Sequence, residues 1–154
     1  MHLVRLSKGT WTVLAICEDE VSCALLDFLE SLGDEKTAAK ILSDLQGYVP
    51  NHEPQDWIRR KLSVALTDSD GILEFRWPKS KGPTPRILWF YDKGKVVVCS
   101  HGCAKKGTMG NDEIENAEHR KKSYERDRDQ DHLIIHDLDE FIDGSEKKEG
   151  EARG

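Results

Sequence analysis

Arg76, Arg86, His101, Lys105 and Lys106 are the side chains whose types and spacing could do chemistry together. They punctuate two apolar runs, Arg86–Tyr91 and Val96–His101, which read as strands joined by a tight turn at Asp92–Lys95. Gly102-Cys103-Ala104-Lys105-Lys106 follows at once, and no carboxylate pair accompanies it. Many cations with few general bases suit the holding and cutting of an RNA backbone, where the substrate supplies its own 2′-hydroxyl nucleophile. That reaction needs in-line placement of the hydroxyl, stabilisation of charge growing on the phosphate, and a proton for the leaving oxygen. Arginine stays charged and grips phosphate through two parallel hydrogen bonds, so Arg76 and Arg86 are the expected clamps. They could equally be cations paired with Glu74 or Asp92.

Strand alternation sends one of Lys105 and Lys106 toward a cleft and the other away, so at most one is expected to be catalytic. His101 is the candidate for proton transfer, having an unperturbed pKa of ~6.5, against the plainer role of a strand histidine. Arg59, Arg60 and Lys61 form a cationic cluster that could hold RNA. Cys99, His101 and Cys103 fall at alternate positions, which on a regular strand would share a face and invite a zinc ion. Zinc ligands come as closely spaced pairs at turns, however, and Cys17 and Cys23 have the wrong spacing. No metal and no cofactor are therefore expected. Trp57, Trp77, Trp89 and Phe90 could stack on bases or fill a core.

The elements that must position these groups come from a chain of 154 residues, 37% hydrophobic and 34% charged, which suits one domain with a modest core. Four cysteines are too sparse for a disulfide scaffold, and neither a membrane span nor an apolar signal region is legible, so a reduced cytoplasmic setting is expected. The net charge of −6 is unevenly placed. Residues 1–58 hold 4 basic and 10 acidic residues, 59–128 hold 16 and 10, and 129–154 hold 3 and 9. Fields decay within ~8–10 Å at cellular salt, so the basic middle decides what binds there.

Trp11–Cys17 reads as a first strand, and Val21–Leu32 as a helix stopped by Gly33. Asp34 is the expected N-cap of a second helix reaching Gln46, making a helical hairpin with its predecessor. Residues 47–57, with Gly47, Pro50 and Pro54, read as a loop. Ile72–Trp77 alternates as a strand, with Ile72, Glu74 and Arg76 on one face and Leu73, Phe75 and Trp77 on the other. Asn111 begins a last helix with acids in its first turns and Arg120, Lys121 and Lys122 later.

In this order the chain resembles the RelE/HigB-like toxins of type II toxin–antitoxin modules, especially the phage-associated HigB-like branch. Phe28–Leu32, Leu73–Arg76, Arg86–Tyr91, His101–Lys106 and Glu113–Ala117 carry the likeness, which runs from about Trp11 to Tyr124. It implies an α+β fold, with a small antiparallel sheet, the helical hairpin on one face, and a C-terminal helix. It implies a metal-independent, ribosome-dependent mRNA endonuclease silenced by an antitoxin of helix-turn-helix type. By position, Arg76, Arg86, Lys105 and Lys106 would meet on one open face. The chain departs from the family at Cys103, where an apolar aromatic is common, and at Gly107–Asn111, where a Thr and a Pro usually follow the lysine pair. A rival on the same fold is a protein that inhibits a host factor, such as a topoisomerase, by contact alone.

Residues 1–128 are thus expected to form the toxin-like domain and 129–154 an acidic tail, with Gly144–Gly154 disordered. The opposed charges of tail and middle suggest that Leu133–Ile142 folds back over the basic cleft.

Overall fold

The structure, a computed structural model, describes residues 1–141. The expected disorder of Gly144–Gly154 falls outside them. The fold is mixed α+β, but the sheet is neither small nor wholly antiparallel. Seven strands lie in the order β3-β4-β5-β6-β2-β1-β7. They are β1 (His2–Lys8), β2 (Thr12–Cys17), β3 (Ser63–Ala65), β4 (Leu73–Arg76), β5 (Thr84–Asp92), β6 (Val96–Lys105) and β7 (Ile134–Asp137). β2 runs parallel to β6, and β1 parallel to β7. The helices α1 (Ala24–Ser31), α2 (Glu35–Ser43), α3 (Val49–Asn51), α4 (Pro54–Arg59) and α5 (Asn111–Asp129) accompany them among the described residues. Among the described residues no helix is long and apolar enough to cross a membrane.

Both faces of the sheet are covered, which strand alternation makes possible. On one face Leu25, Leu29, Ile41, Leu45 and Trp57 from the N-terminal helices join Val13, Ala15, Phe75, Trp89 and Val97. On the other, Ala117 and Tyr124 of α5 join Leu14, Ile72, Leu88, Phe90 and Val98. The split of β4 is the one its alternation predicts: Ile72 belongs to the second cluster, Phe75 and Trp77 to the first. Trp57, Trp77, Trp89 and Phe90 are all buried, so they are core side chains rather than stacking platforms.

Several boundaries differ from the expectation for local reasons. α1 starts at Ala24 rather than Val21, because the Asp19 carboxylate accepts from the amides of Val21 and Ser22 at 2.8 Å each and holds them in a turn. Asp34 does cap α2, accepting from the Thr37 amide at 3.2 Å. The segment expected to be a loop is instead helical. A π-helical turn, Asp44–Tyr48, leads from α2 into α3, and Pro54 opens α4 behind a reciprocal Glu53–Asp56 cap. Proline breaks helix interiors but fits the first turn, where its missing N–H is not needed. The strand β1 was not foreseen. The described part of Leu133–Ile142 does not lie over the basic middle: it supplies β7 at the far edge of the sheet from β3 and β4.

Candidate functional site

The β4–β5 register sets Arg76 directly opposite Arg86. Like charges so placed repel, and Glu74, on the same face two residues before Arg76, stands between them. Glu74 is 0% exposed. Its Oε1 accepts from Arg76 Nε, and its Oε2 lies 3.6 Å from Arg86 Nη1. Arg86 is itself 5% exposed, and its Nη2 donates to the Gly107 carbonyl. The Lys105 carbonyl lies 3.5 Å from that same nitrogen. Arg86 thus ties the loop after β6 to the sheet from inside, while Arg76, with its side chain 36% exposed, is the member that reaches solvent.

Lys105 is half-buried and Lys106 exposed, the alternation expected of the pair. The Lys105 ammonium sits at the start of α5: a Cβ built on Gly110, the N-cap, would come within 2.7 Å of Nζ. Gly110 offers no side-chain cap, so a cation stands beside the positive end of a 19-residue helix. An anion placed there would relieve both charges.

His101 is 7% exposed and lies beneath α5. Its Nε2 is 2.7 Å from Glu113 Oε2, and its Nδ1 2.9 Å from the Ser100 hydroxyl. Burial lowers its pKa below the usual imidazole value, and the hydrogen bond to Glu113 works against that. A register shift in the β5–β6 ladder, between the pairs Leu88–His101 and Trp89–Cys99, leaves Ser100 as an extra residue. The regular alternation that would align Cys99, His101 and Cys103 is therefore broken. Cys99 packs in the core on the α1 face, and Cys103 against the core under α5. Among the described residues no cluster of three or more His, Cys, Asp or Glu could hold a metal ion.

A cleft of about 390 Å³ opens at the β3–β4 end, lined by Thr37, Lys40, Asp44, Arg60, Lys61, Leu62, Arg76, Trp77, Pro78 and Lys79. Five of these ten are cations and one is acidic. Asp44 is already engaged, accepting from Trp77 Nε1 at 2.9 Å and lying 3.6 Å from Arg60 and 3.9 Å from Lys40. Arg60 is fixed further by stacking over the Tyr48 ring, 4.3 Å from its centre. Lys61 has a left-handed backbone (φ +62°) that turns the chain from α4 into β3. Lys79 also donates to Asp34 at 3.2 Å, which links the cleft rim to the cap of α2.

The structure therefore gathers Arg60, Lys61 and Arg76 at one cleft, sets Arg86 opposite Arg76 on the neighbouring strand, and keeps the Lys105 ammonium at the start of α5. Arg59 stays apart, exposed and paired with Asp56 at 3.7 Å. Lys40, Lys79 and Glu113 were missed from sequence, whereas Glu74 was read there as a partner of the two arginines. Glu74 had a legible signal, since its alternation with Arg76 puts both on one face. Lys40 and Lys79 had none, because their segments meet only in the folded chain.

The family model described as Phage derived protein Gp49-like (DUF891) matches residues 27–122. That span holds every cation of the cleft together with Glu74, Arg86, His101, Lys105 and Glu113. It leaves out β1, β2 and β7. No curated protein matches the chain.

Proposed function

Because the chain belongs to the Phage derived protein Gp49-like family, we propose that it is the toxin of a toxin–antitoxin pair, cutting messenger RNA on the ribosome and silenced by a helix-turn-helix antitoxin. One observation carries this reading: five cations from three segments line one ligand-sized cleft whose only acid is already paired. Such a cavity lies within the range of about 300–1,000 Å³ common to binding sites, and its charge selects a polyanion.

In this reading Arg60, Lys61 and Lys79 track the backbone of a single strand. Arg76 and Lys105 hold the scissile phosphate, with the start of α5 behind them. Arg86 keeps Glu74 and the Gly107 loop in place. The His101–Glu113 pair carries the proton, Glu113 being its exposed end at 28%. Charge stabilisation at the phosphate is the main contribution of the protein, and the 2′-hydroxyl is the nucleophile. Primer extension on messenger RNA after induction tests the proposal. Wild type gives new 5′ ends within coding regions, and Arg76→Ala gives none at equal protein level. Cleavage by Arg76→Ala at the wild-type rate refutes the assigned role.

A second reading, a non-enzymatic inhibitor of a host factor, is favoured by the burial of Arg86, which leaves one expected clamp facing inward. Ribosomes programmed with messenger RNA and a gyrase supercoiling assay, run side by side on the purified protein, separate the two.

A further inference from the structure

A small closed feature stands away from the cleft, where β2 hands over to α1. β2 ends at Cys17, and the chain turns through Glu18–Ser22. Asp19 holds the amides of Val21 and Ser22, and the Glu18 amide donates to the Ser22 carbonyl at 2.9 Å. The chain returns so that Cys23 stands directly opposite Cys17 as an isolated antiparallel bridge. A ladder bond between the next residues inward makes the two cysteines a non-hydrogen-bonded pair, with Cα atoms about 4.5 Å apart and side chains on one face. Disulfides span Cα separations of about 4.4–6.8 Å, so a bond can close here without backbone movement. The thiols are held locally, Cys17 Sγ donating to the Ala15 carbonyl at 3.7 Å and Cys23 Sγ to the Ile16 carbonyl at 3.8 Å.

Their roles differ. Cys23 is the N-cap of α1. Its pKa is lowered, first by the neighbouring Cys17 thiol and then by the amides of Leu26 and Leu25, against burial. Cys17 is pushed up by the neighbouring Cys23 thiol and by burial. Cys99 is raised by burial in the core, and Cys103 packs against Met109, pushed up to about 11 by burial. Cys23, at the N-terminus of α1, is placed as the attacking thiol and Cys17 as the resolving one.

We propose that Cys17 and Cys23 are a reversible disulfide site whose oxidant is a small cationic disulfide. The preference for a cation comes from the exposed turn that joins the pair, which carries Glu18, Asp19 and Glu20 against the guanidinium of Arg120, 3.4 Å from Glu18. Both cysteines are buried in the core cluster on the α1 face, so the reagent enters on local opening where β2 meets α1. The Cys23 thiolate attacks one sulfur of the reagent and expels a thiolate, which takes a proton. The Cys17 thiol then gives up its proton and attacks the Cys23 sulfur, expelling the second small thiol. The protein loses two protons and two electrons, which the reagent takes up in becoming two thiols. The bond fastens the start of α1 to β2. α1 carries Phe28, which packs over Gly102 beside His101.

The test treats the folded full-length protein with cystamine, without denaturant, and follows intact mass, free thiols and the mapped bond. Two of the four thiols disappear, the mass falls by two hydrogens, the bond maps to Cys17–Cys23, and dithiothreitol reverses it. Cys17→Ser stops at one cysteamine adduct on Cys23. Cys23→Ser, which keeps a good N-cap, forms neither adduct nor bond. Four surviving thiols, a bond mapped to Cys99, or a Cys17→Ser protein free of adduct would each overturn the site. Equal or faster reaction with anionic oxidised glutathione would overturn the charge preference.

Discussion

Replacing Arg86 by alanine tests whether this arginine holds the fold or the substrate. The substitution removes a guanidinium that is 5% exposed, takes from Glu74 Oε2 the cation that lies 3.6 Å away, and strips the Gly107 carbonyl of its donor. Breaking a buried ion pair from one side costs about 3–5 kcal/mol. Arg76 still donates to the other oxygen of Glu74, which places the expected loss near the lower end, about 3 kcal/mol. Arg76→Ala removes a side chain that is 36% exposed and solvent-screened, and about 1 kcal/mol is expected. At this chain length about 3 kcal/mol corresponds to a fall in Tm of roughly 6–12 °C.

Urea unfolding of wild type, Arg76→Ala, Arg86→Ala, Glu74→Gln and the double variant Glu74→Gln/Arg86→Met measures these terms. Neutralising both members of the buried pair should cost less than the sum of the singles, because neither partner is then left charged and alone. An Arg86→Ala protein within about 0.5 kcal/mol of wild type, or strictly additive singles, would refute the assignment of Arg86 to the fold. The result also governs how cleavage assays are read. Lost cleavage in Arg86→Ala reports chemistry only below its own unfolding transition, whereas Arg76→Ala is the cleaner probe.

Gly102→Ala would bring a Cβ within 2.1 Å of Phe28 Cδ1, and a loss of about 1–3 kcal/mol is expected; Phe28→Leu should recover part of it in thermal melts. Asp34 has its pKa lowered to about 2, first by the Thr37 hydroxyl, then by the Thr37 amide and Lys79. Its cap therefore contributes fully above 3.8 and is lost as pH falls through about 2, so wild type and Asp34→Ala should converge in that window. His101 is held below its ordinary 6.5 by burial, so the unfolded chain takes up its proton first. Stability should decline as pH falls below 6.5, and His101→Gln should flatten that slope. Lys61→Glu should weaken single-stranded RNA binding in fluorescence anisotropy and reduce its salt slope by about 0.7 for each phosphate no longer neutralised; an unchanged slope places the RNA elsewhere.

Much of the fold was legible because its signals are local. The β5–β6 hairpin announces itself through two apolar runs around Gly94, and Asp34 caps α2 by the short-range bond its residue type predicts. What stayed hidden depends on distant partners. β7 owes its strand pairing to β1, more than 120 residues away, and nothing within Ile134–Asp137 separates it from an acidic tail. Pro50 and Pro54 read as breakers because composition does not say whether a proline sits in the first turn of a helix. The alternation of Cys99, His101 and Cys103 holds only on a regular strand, and one extra residue at Ser100 undoes it.

The two sequence-level readings of Arg76 and Arg86, phosphate clamps or partners of Glu74, are not alternatives once the register is known. Directly opposed arginines on neighbouring strands repel, and without a counter-charge they would splay apart or turn outward separately. A fully buried carboxylate between them lets both stay. The sharing is unequal, however. Arg86 is drawn under the Gly107 loop, while Arg76 binds through Nε and is one of the residues lining the cleft with Arg60, Lys61 and Lys79. Glu74 therefore sets how many cations face the cleft, and removing it should release an inward-held guanidinium as well as a buried charge. A Glu74→Gln protein that stays folded and binds RNA with a steeper salt dependence than wild type would bear this out; one that binds with the same slope would mean that Arg86 is committed to Gly107 whatever its neighbour.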